Sequence, residues 1–127
     1  MRRSILSING NRSMNFIVQT VLSPRYNLLA VADVYQAMNE LRKRDEIEMI
    51  IVDLDQHTQE SLDFIQHIKT SGLYQDREVI VLASEDNWEK NKSVMTSVEN
   101  VFFKPFSPEE MVRSVDMIMN KRLEKIS

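Results

Sequence analysis

Five short apolar runs, each followed by a stretch with helical spacing, constrain this chain more than any other feature. The runs are Ile5-Leu-Ser-Ile8, Asn27-Leu-Leu-Ala-Val-Ala32, Glu48-Met-Ile-Ile-Val-Asp53, Val79-Ile-Val-Leu82 and Val101-Phe-Phe103. Their length and β-branched content fit strands, and continuous apolar character fits strands buried on both faces. Between them apolar residues recur every three to four positions. Met14, Ile17, Val18 and Val21 form one such stripe, and Val34, Ala37, Met38 and Leu41 a second. Leu62, Ile65 and Ile68 form a third, ending near Gly72, and Met111, Val115, Ile118 and Met119 the last. The stretch from Asp86 to Ser97 reads as a fourth helix with a thin stripe of Trp88, Met95 and Val98. Strands alternating with helices predict an α/β fold, a parallel sheet doubly wound with helices on both faces.

Cap chemistry supports these boundaries. Asp33 is followed three residues later by Gln36, a capping-box spacing. Ser107-Pro-Glu-Glu110 combines a serine cap, a proline in the first turn and a glutamate three after the cap. The 127 residues suit one domain spanning 1–127, with enough apolar residues (43%) for a core. A net charge of −3 with mixed signs offers no nucleic-acid footprint. There is no cysteine for disulfides or thiolate metal sites, and no long apolar segment or signal-peptide pattern. A cytoplasmic protein that engages neither membrane nor nucleic acid is the expectation.

Right-handed crossovers bring the carboxyl ends of parallel strands to one edge, where open α/β sheets bind ligands. Asn9-Gly10, Asp53, Ala83-Ser84 and Lys104 all fall at or just past such ends. One strand thus offers an acid and another a base. The pattern alone leaves strand order open, and with it whether these residues meet.

Ile51-Val-Asp-Leu-Asp55, Val79-Ile-Val-Leu-Ala-Ser84 and Lys104-Pro-Phe106 resemble the receiver domain of bacterial response regulators, over nearly the whole chain. The resemblance implies the flavodoxin-like strand order 2-1-3-4-5, with Asp53 as phosphoacceptor. It implies Lys104 as the phosphoryl-contacting lysine, aimed by a cis bond to Pro105. It also implies an acidic pair that binds Mg²⁺ together with Asp53, a switch hydroxyl, and a histidine kinase or other signalling protein as partner. A homodimer through the last helix fits the same family. That helix continues through Lys121–Ser127 without a clear linker, as in a stand-alone receiver.

The sequence departs from that pattern at several positions. The acidic pair is replaced by Asn9 and Gly10, in a run that reads as a tight turn. Any Mg²⁺ site is therefore weakened, because the ion favours carboxylate oxygens. Ala83 stands at the switch position. Ser84, one residue on, either caps the next helix or substitutes after a register shift. Val101 replaces the switch aromatic, while Phe102 and Phe103 point to opposite faces by alternation. Gln56-His57 and Ser61 replace the usual Met-Pro and glycine after the phosphoacceptor, so that turn must differ. Asp55 lies where the family uses a backbone carbonyl as metal ligand. Its carboxylate, with Glu85, is a candidate metal group, although a solvated loop acid is the stronger reading. His57 and His67 read as isolated polar residues.

Three functions compete. The first is an atypical receiver acting mainly through protein contact on the fourth helix, fifth strand and fifth helix, with phosphorylation of Asp53 weak or lost. Trp88 or an exposed phenylalanine would anchor the partner there. The second is a phosphorylation-competent receiver. The third, an aspartate-nucleophile phosphatase, rests on Asp53-Leu-Asp55. That motif would belong on a first strand and continue Gly-Thr, so a non-enzymatic module is expected.

Overall fold

The computed structural model describes residues 2–98 and 100–126. Five strands alternate with five helices: β1 (Ser4–Ile8), α1 (Arg12–Leu22), β2 (Asn27–Val31), α2 (Val34–Lys43), β3 (Ile47–Asp53), α3 (Thr58–Thr70), β4 (Glu78–Ala83), α4 (Glu85–Asn91), β5 (Asn100–Phe103) and α5 (Pro108–Ile126). The sheet is wholly parallel, in the order β2-β1-β3-β4-β5. This is the doubly wound arrangement expected from the strand–helix alternation.

β3 is central because both its faces are apolar. Met49, Ile50, Ile51 and Val52 are all buried, and successive side chains enter different cores. Ile50 and Val52 join Leu6, Ile8, Val79, Val81 and Ala83 beneath α2 and α3. Met49 and Ile51 join Ile5, Ile80 and Leu82 beneath α1 and α5. Each fully buried side chain of this size contributes roughly 1.5–3 kcal/mol. A one-residue slip of β3 would exchange these two sets and break both layers.

The caps form largely as their chemistry dictates. Asp33 accepts a hydrogen bond from the Gln36 amide at 2.9 Å. Gln36 reaches back to the Ala32 amide at 3.0 Å, one residue before the cap itself. Ser107 accepts from the Glu110 amide at 3.4 Å. At the amino edge of the sheet, Arg3 grips Glu48 through two N–H donors at 2.8 and 2.7 Å. Arg122 of α5 adds a third donor at 3.2 Å, tying the last helix to the middle of the sheet.

Several expectations are corrected. Ile17 is exposed, and α1 buries Val18 and Leu22 instead, with Met14 and Val21 partly packed. The second strand ends at Val31, before Ala32. α3 ends without a left-handed glycine, since Ser71 is an extended cap and Gly72 has no positive φ. α4 stops at Asn91 and tightens into a 3-10 turn over Lys92–Val94. Asn91 donates from its side chain to the Asn87 carbonyl at 3.0 Å, competing for a main-chain acceptor. Met95 and Val98 still reach the core, but from the segment after the helix. Ser127 lies outside the described residues.

Candidate functional site

The carboxyl edge gathers the loops after β1, β3, β4 and β5. β3 delivers Asp53 there through its buried run, and the side chain has no exposed surface. Its charge is compensated from three directions. Lys104 Nζ donates to Oδ2 at 2.6 Å, and Asn9 Nδ2 donates to the same oxygen at 2.6 Å. The Asp55 amide donates to Oδ1 at 2.9 Å. A buried carboxylate is costly unless paired and hydrogen-bonded, and here it is both.

Lys104 reaches this position from the end of β5. Its amide donates to the Ala83 carbonyl at 2.9 Å, extending the β4–β5 pairing past the strand end. The Lys104-Pro105 peptide bond is cis. The ammonium also lies 3.2 Å from Asp55 Oδ2, so it is shared between two carboxylates.

Asn9 is more than a turn residue. Its carbonyl oxygen accepts from the Asn11 amide at 2.8 Å, while its amide nitrogen faces Asp53. That orientation follows from charge, because the opposite flip would set two acceptors against each other. Asn11 then caps α1 by accepting from the Met14 amide at 3.1 Å. Gly10 contributes no side chain, and a Cβ built there would lie 3.4 Å from Gln56 Oε1. A cavity of about 200 Å³ opens beside these residues, reaching Asp33, Asp53, Gln56 and Glu60.

Asp55 is not a solvated loop acid. Its carboxylate accepts from the Ser84 amide at 3.0 Å, the Ser84 hydroxyl at 3.3 Å and Asn87 Nδ2 at 3.0 Å, besides Lys104. Burial alone would raise its pKa. The Asn87 and Ser84 donors and the Lys104 charge outweigh that and hold it below the ordinary carboxylate range. Ser84 also caps α4, its hydroxyl accepting from the Asn87 amide at 3.2 Å. Ala83 is fully buried and presents only a methyl group. Glu85 is exposed and belongs to α4 rather than to the carboxylate cluster.

The remaining positions separate. Phe102 is half-buried and packs against the core beneath α1 and α5, its ring 6.4 Å from that of Phe106, while Phe103 is 39% exposed. Val101 packs on the opposite face with Trp88. The turn after Asp53 is made by His57 in the left-handed conformation, with φ 51°, and by Ser61, whose hydroxyl donates to the Gln56 carbonyl at 3.2 Å. His57 and His67 have no hydrogen bond to the Asp53 cluster. Sequence reasoning did not single out Asn87, although an asparagine three residues after a serine cap is a polar group placed to turn back on the strand ends.

The donor set does not fit the Mg²⁺ that the receiver resemblance implies. Asp53 is the sole carboxylate at the centre, and its oxygens already accept three N–H donors. Asn9 offers nitrogen rather than oxygen, Gly10 offers nothing, and Asp55 is turned toward Ser84 and Asn87. Among the described residues, no three acids or histidines are grouped to hold a metal ion. Lys104 supplies the positive charge instead.

No protein-family profile and no curated protein sequence matches this chain. Solved structures do match. The chemotaxis response regulator CheY4 of Vibrio cholerae superposes with a TM-score of 0.78 at 20% identity, over 93% of this chain and 99% of that one. A response regulator from Thermotoga maritima gives 0.78 at 22% identity, over 94% and 99%. The signal receiver domain of an HD domain-containing protein from Pseudomonas fluorescens Pf-5 gives 0.82 at 19% identity, over 98% and 99%. At these identities the likeness is one of fold: the chain has the CheY-like receiver fold, with the strand order expected from the resemblance.

Proposed function

We propose that this chain is an atypical receiver domain of two-component signalling, acting mainly through protein contact, with phosphorylation at Asp53 weak or lost. The observation that carries this reading is the replacement of the implied acidic pair by Gly10 and by Asn9, whose Nδ2 donates to Asp53 Oδ2 at 2.6 Å. A carboxylate attacks a charged phosphodonor only when cations neutralise the approach and a lone pair is free. Here the one cation nearby holds the nucleophile itself, and the acids that would recruit a second cation are Asn9 and Gly10. Structures of the same fold named as response regulators and signal receivers support the signalling role. The partner is a histidine kinase or another signalling protein, met on the face of α4, β5 and α5, where Phe103 is exposed. The reading is non-enzymatic, because Asp53 ends the third strand of a receiver topology.

A second reading has its own support. Asp53 and Lys104 stand in the receiver arrangement at 2.6 Å, with Pro105 cis, so a phosphorylation-competent switch keeps two of its parts. One titration separates the two. The protein is treated with acetyl phosphate or beryllofluoride in Mg²⁺ while backbone NMR shifts are followed beside an Asp53→Ala control. We expect no saturable, Mg²⁺-dependent shift around residues 53–56 and 83–87. Shifts that saturate and vanish in the control would establish the competent switch instead.

A further inference from the structure

α4 is seven residues long and buries none of them completely. Trp88 packs partly against the core, so little apolar surface fixes this helix. Its attachment at the site is polar and converges on Asp55. The carboxylate holds the Ser84 amide and hydroxyl and the Asn87 side chain, the capping elements of α4. Asn87 Nδ2 also lies 3.3 Å from the Leu54 carbonyl and 3.4 Å from Thr58 Oγ1, which keeps the helix start against the turn after β3. On its other side Asp55 meets Lys104, which is simultaneously held by Asp53. Lys104 itself makes no hydrogen bond to α4 among the described residues.

These contacts form one chain of charge: Asp53, Lys104, Asp55, then the cap of α4. Ala83, buried at the end of β4, presents only a methyl group and adds no polar link to this chain. We propose that Asp55 is a positioning residue that passes the charge state of Asp53 to α4 through its share of Lys104. While Asp53 is an anion, Lys104 is divided between the two carboxylates. When residue 53 carries no charge, as in Asp53→Asn, Lys104 is drawn to Asp55 and the Asp55 carboxylate shifts relative to Ser84 and Asn87. The inference concerns the response of α4 to the charge at residue 53 and does not depend on whether Asp53 is phosphorylated. Its test uses no phosphodonor, so either reading can fail without the other.

The test is amide hydrogen exchange in four proteins: wild type, Asp53→Asn, Asp55→Asn and the double variant. Rates at Ser84, Asn87 and Trp88 are read as local openings, and Ile51 and Val52, which open only with the whole fold, serve to show that the cap exchanges faster than global unfolding allows in every variant. Asp55→Asn should speed exchange at the α4 cap about tenfold, the loss of a charge-assisted hydrogen bond. Asp53→Asn should change the same rates by at least about threefold in the wild-type background and by less than about twofold when Asp55 is already Asn. A merely structural Asp55 would lose protection on its own substitution but leave the response to residue 53 intact. If Asp53→Asn leaves the cap unmoved, or moves it equally in both backgrounds, the inference is overturned. Should Asp55→Asn fail to fold, Asn87→Ala removes one of the donors through which Asp55 holds the cap, and the response to Asp53→Asn must then shrink at least about twofold; an undiminished response overturns the inference. Trp88 fluorescence reports the same comparison independently, since it is the chain's only tryptophan.

Discussion

Lys104→Met should unfold this protein far more readily than the loss of an ordinary lysine. Asp53 has no exposed side-chain surface, and Lys104 is 20% exposed. Removing the ammonium leaves a buried carboxylate with two neutral donors, Asn9 Nδ2 and the Asp55 amide. Breaking a buried ion pair from one side costs about 3–5 kcal/mol. The remaining donors, and a cavity of about 200 Å³ that can admit water beside Asp53, place the cost near the lower bound, about 3 kcal/mol. Unfolding entropy near 2.1 cal/mol/K per residue gives roughly 0.27 kcal/mol per degree for a chain of this length, so Tm should fall by about 11 °C. Asp53→Asn should cost about 1 kcal/mol or less, because it removes the charge that needs a partner while Lys104 keeps Asp55. With Asp53 already Asn, Lys104→Met should then cost only about 1 kcal/mol, the share that falls on Asp55, a coupling of about 2 kcal/mol. Urea titration followed by circular dichroism measures all four corners. A cost below about 0.5 kcal/mol for Lys104→Met, the range of an exposed pair, would refute the reasoning, as would Asp53→Asn proving the more damaging change.

Restoring the acids should restore a metal site: Asn9→Asp with Gly10→Asp should give a protein whose Tm rises with millimolar Mg²⁺ and is lowest in chelator, while the wild-type Tm is indifferent to both. A Cβ at residue 10 meets only ordinary contacts, so the change is sterically admissible, and a double variant blind to Mg²⁺ would show that more than two carboxylates is missing. The Glu48 carboxyl is held below its ordinary range, first by hydrogen bonds from Arg3 and further by Arg122, against an opposing effect of burial. A depressed folded pKa contributes stability above the unfolded value, and that contribution is lost as pH falls through the folded value. Glu48→Gln should therefore lower the unfolding free energy from urea titration by about 1–2 kcal/mol at pH 7 and flatten its decline in acid, and an unchanged acid slope would count against it.

Elements with strong local signals were legible from sequence. β3 announced itself because four consecutive apolar residues need burial on both faces, and the Asp33 and Ser107 caps because their chemistry is local. What depended on long-range geometry was not. Ile17 fits the α1 stripe by spacing, yet the helix turns toward Val18 and Leu22 because α5 lies on that side. The end of α4 at Asn91 depends on a side chain competing for the Asn87 carbonyl, which no periodicity records. At the site, the edge residues could be named but not their orientation. Asp55 read as a solvated acid because Ser84 and Asn87 lie about thirty residues away along the chain. Asn9 read as a turn because its partner, Asp53, is forty-four residues distant. The left-handed His57 escaped notice because such a turn usually advertises itself with glycine.

The apolar run of β3 has a consequence for the chain before it folds. Met49-Ile-Ile-Val52 is β-prone, uncharged and free of proline, the kind of segment that seeds intermolecular cross-β pairing when exposed. In a parallel sheet it must wait for distant partners, because its neighbours β1 and β4 are far apart along the chain. Asp45, Glu46 and Glu48 precede it and Asp53 and Asp55 follow it, so like charge brackets the run on both sides. These acids act as gatekeepers against self-association during synthesis. Two of them, Asp53 and Asp55, also form the folded site. Neutralising both would therefore risk insolubility in the nascent chain as well as a changed pocket in the finished one.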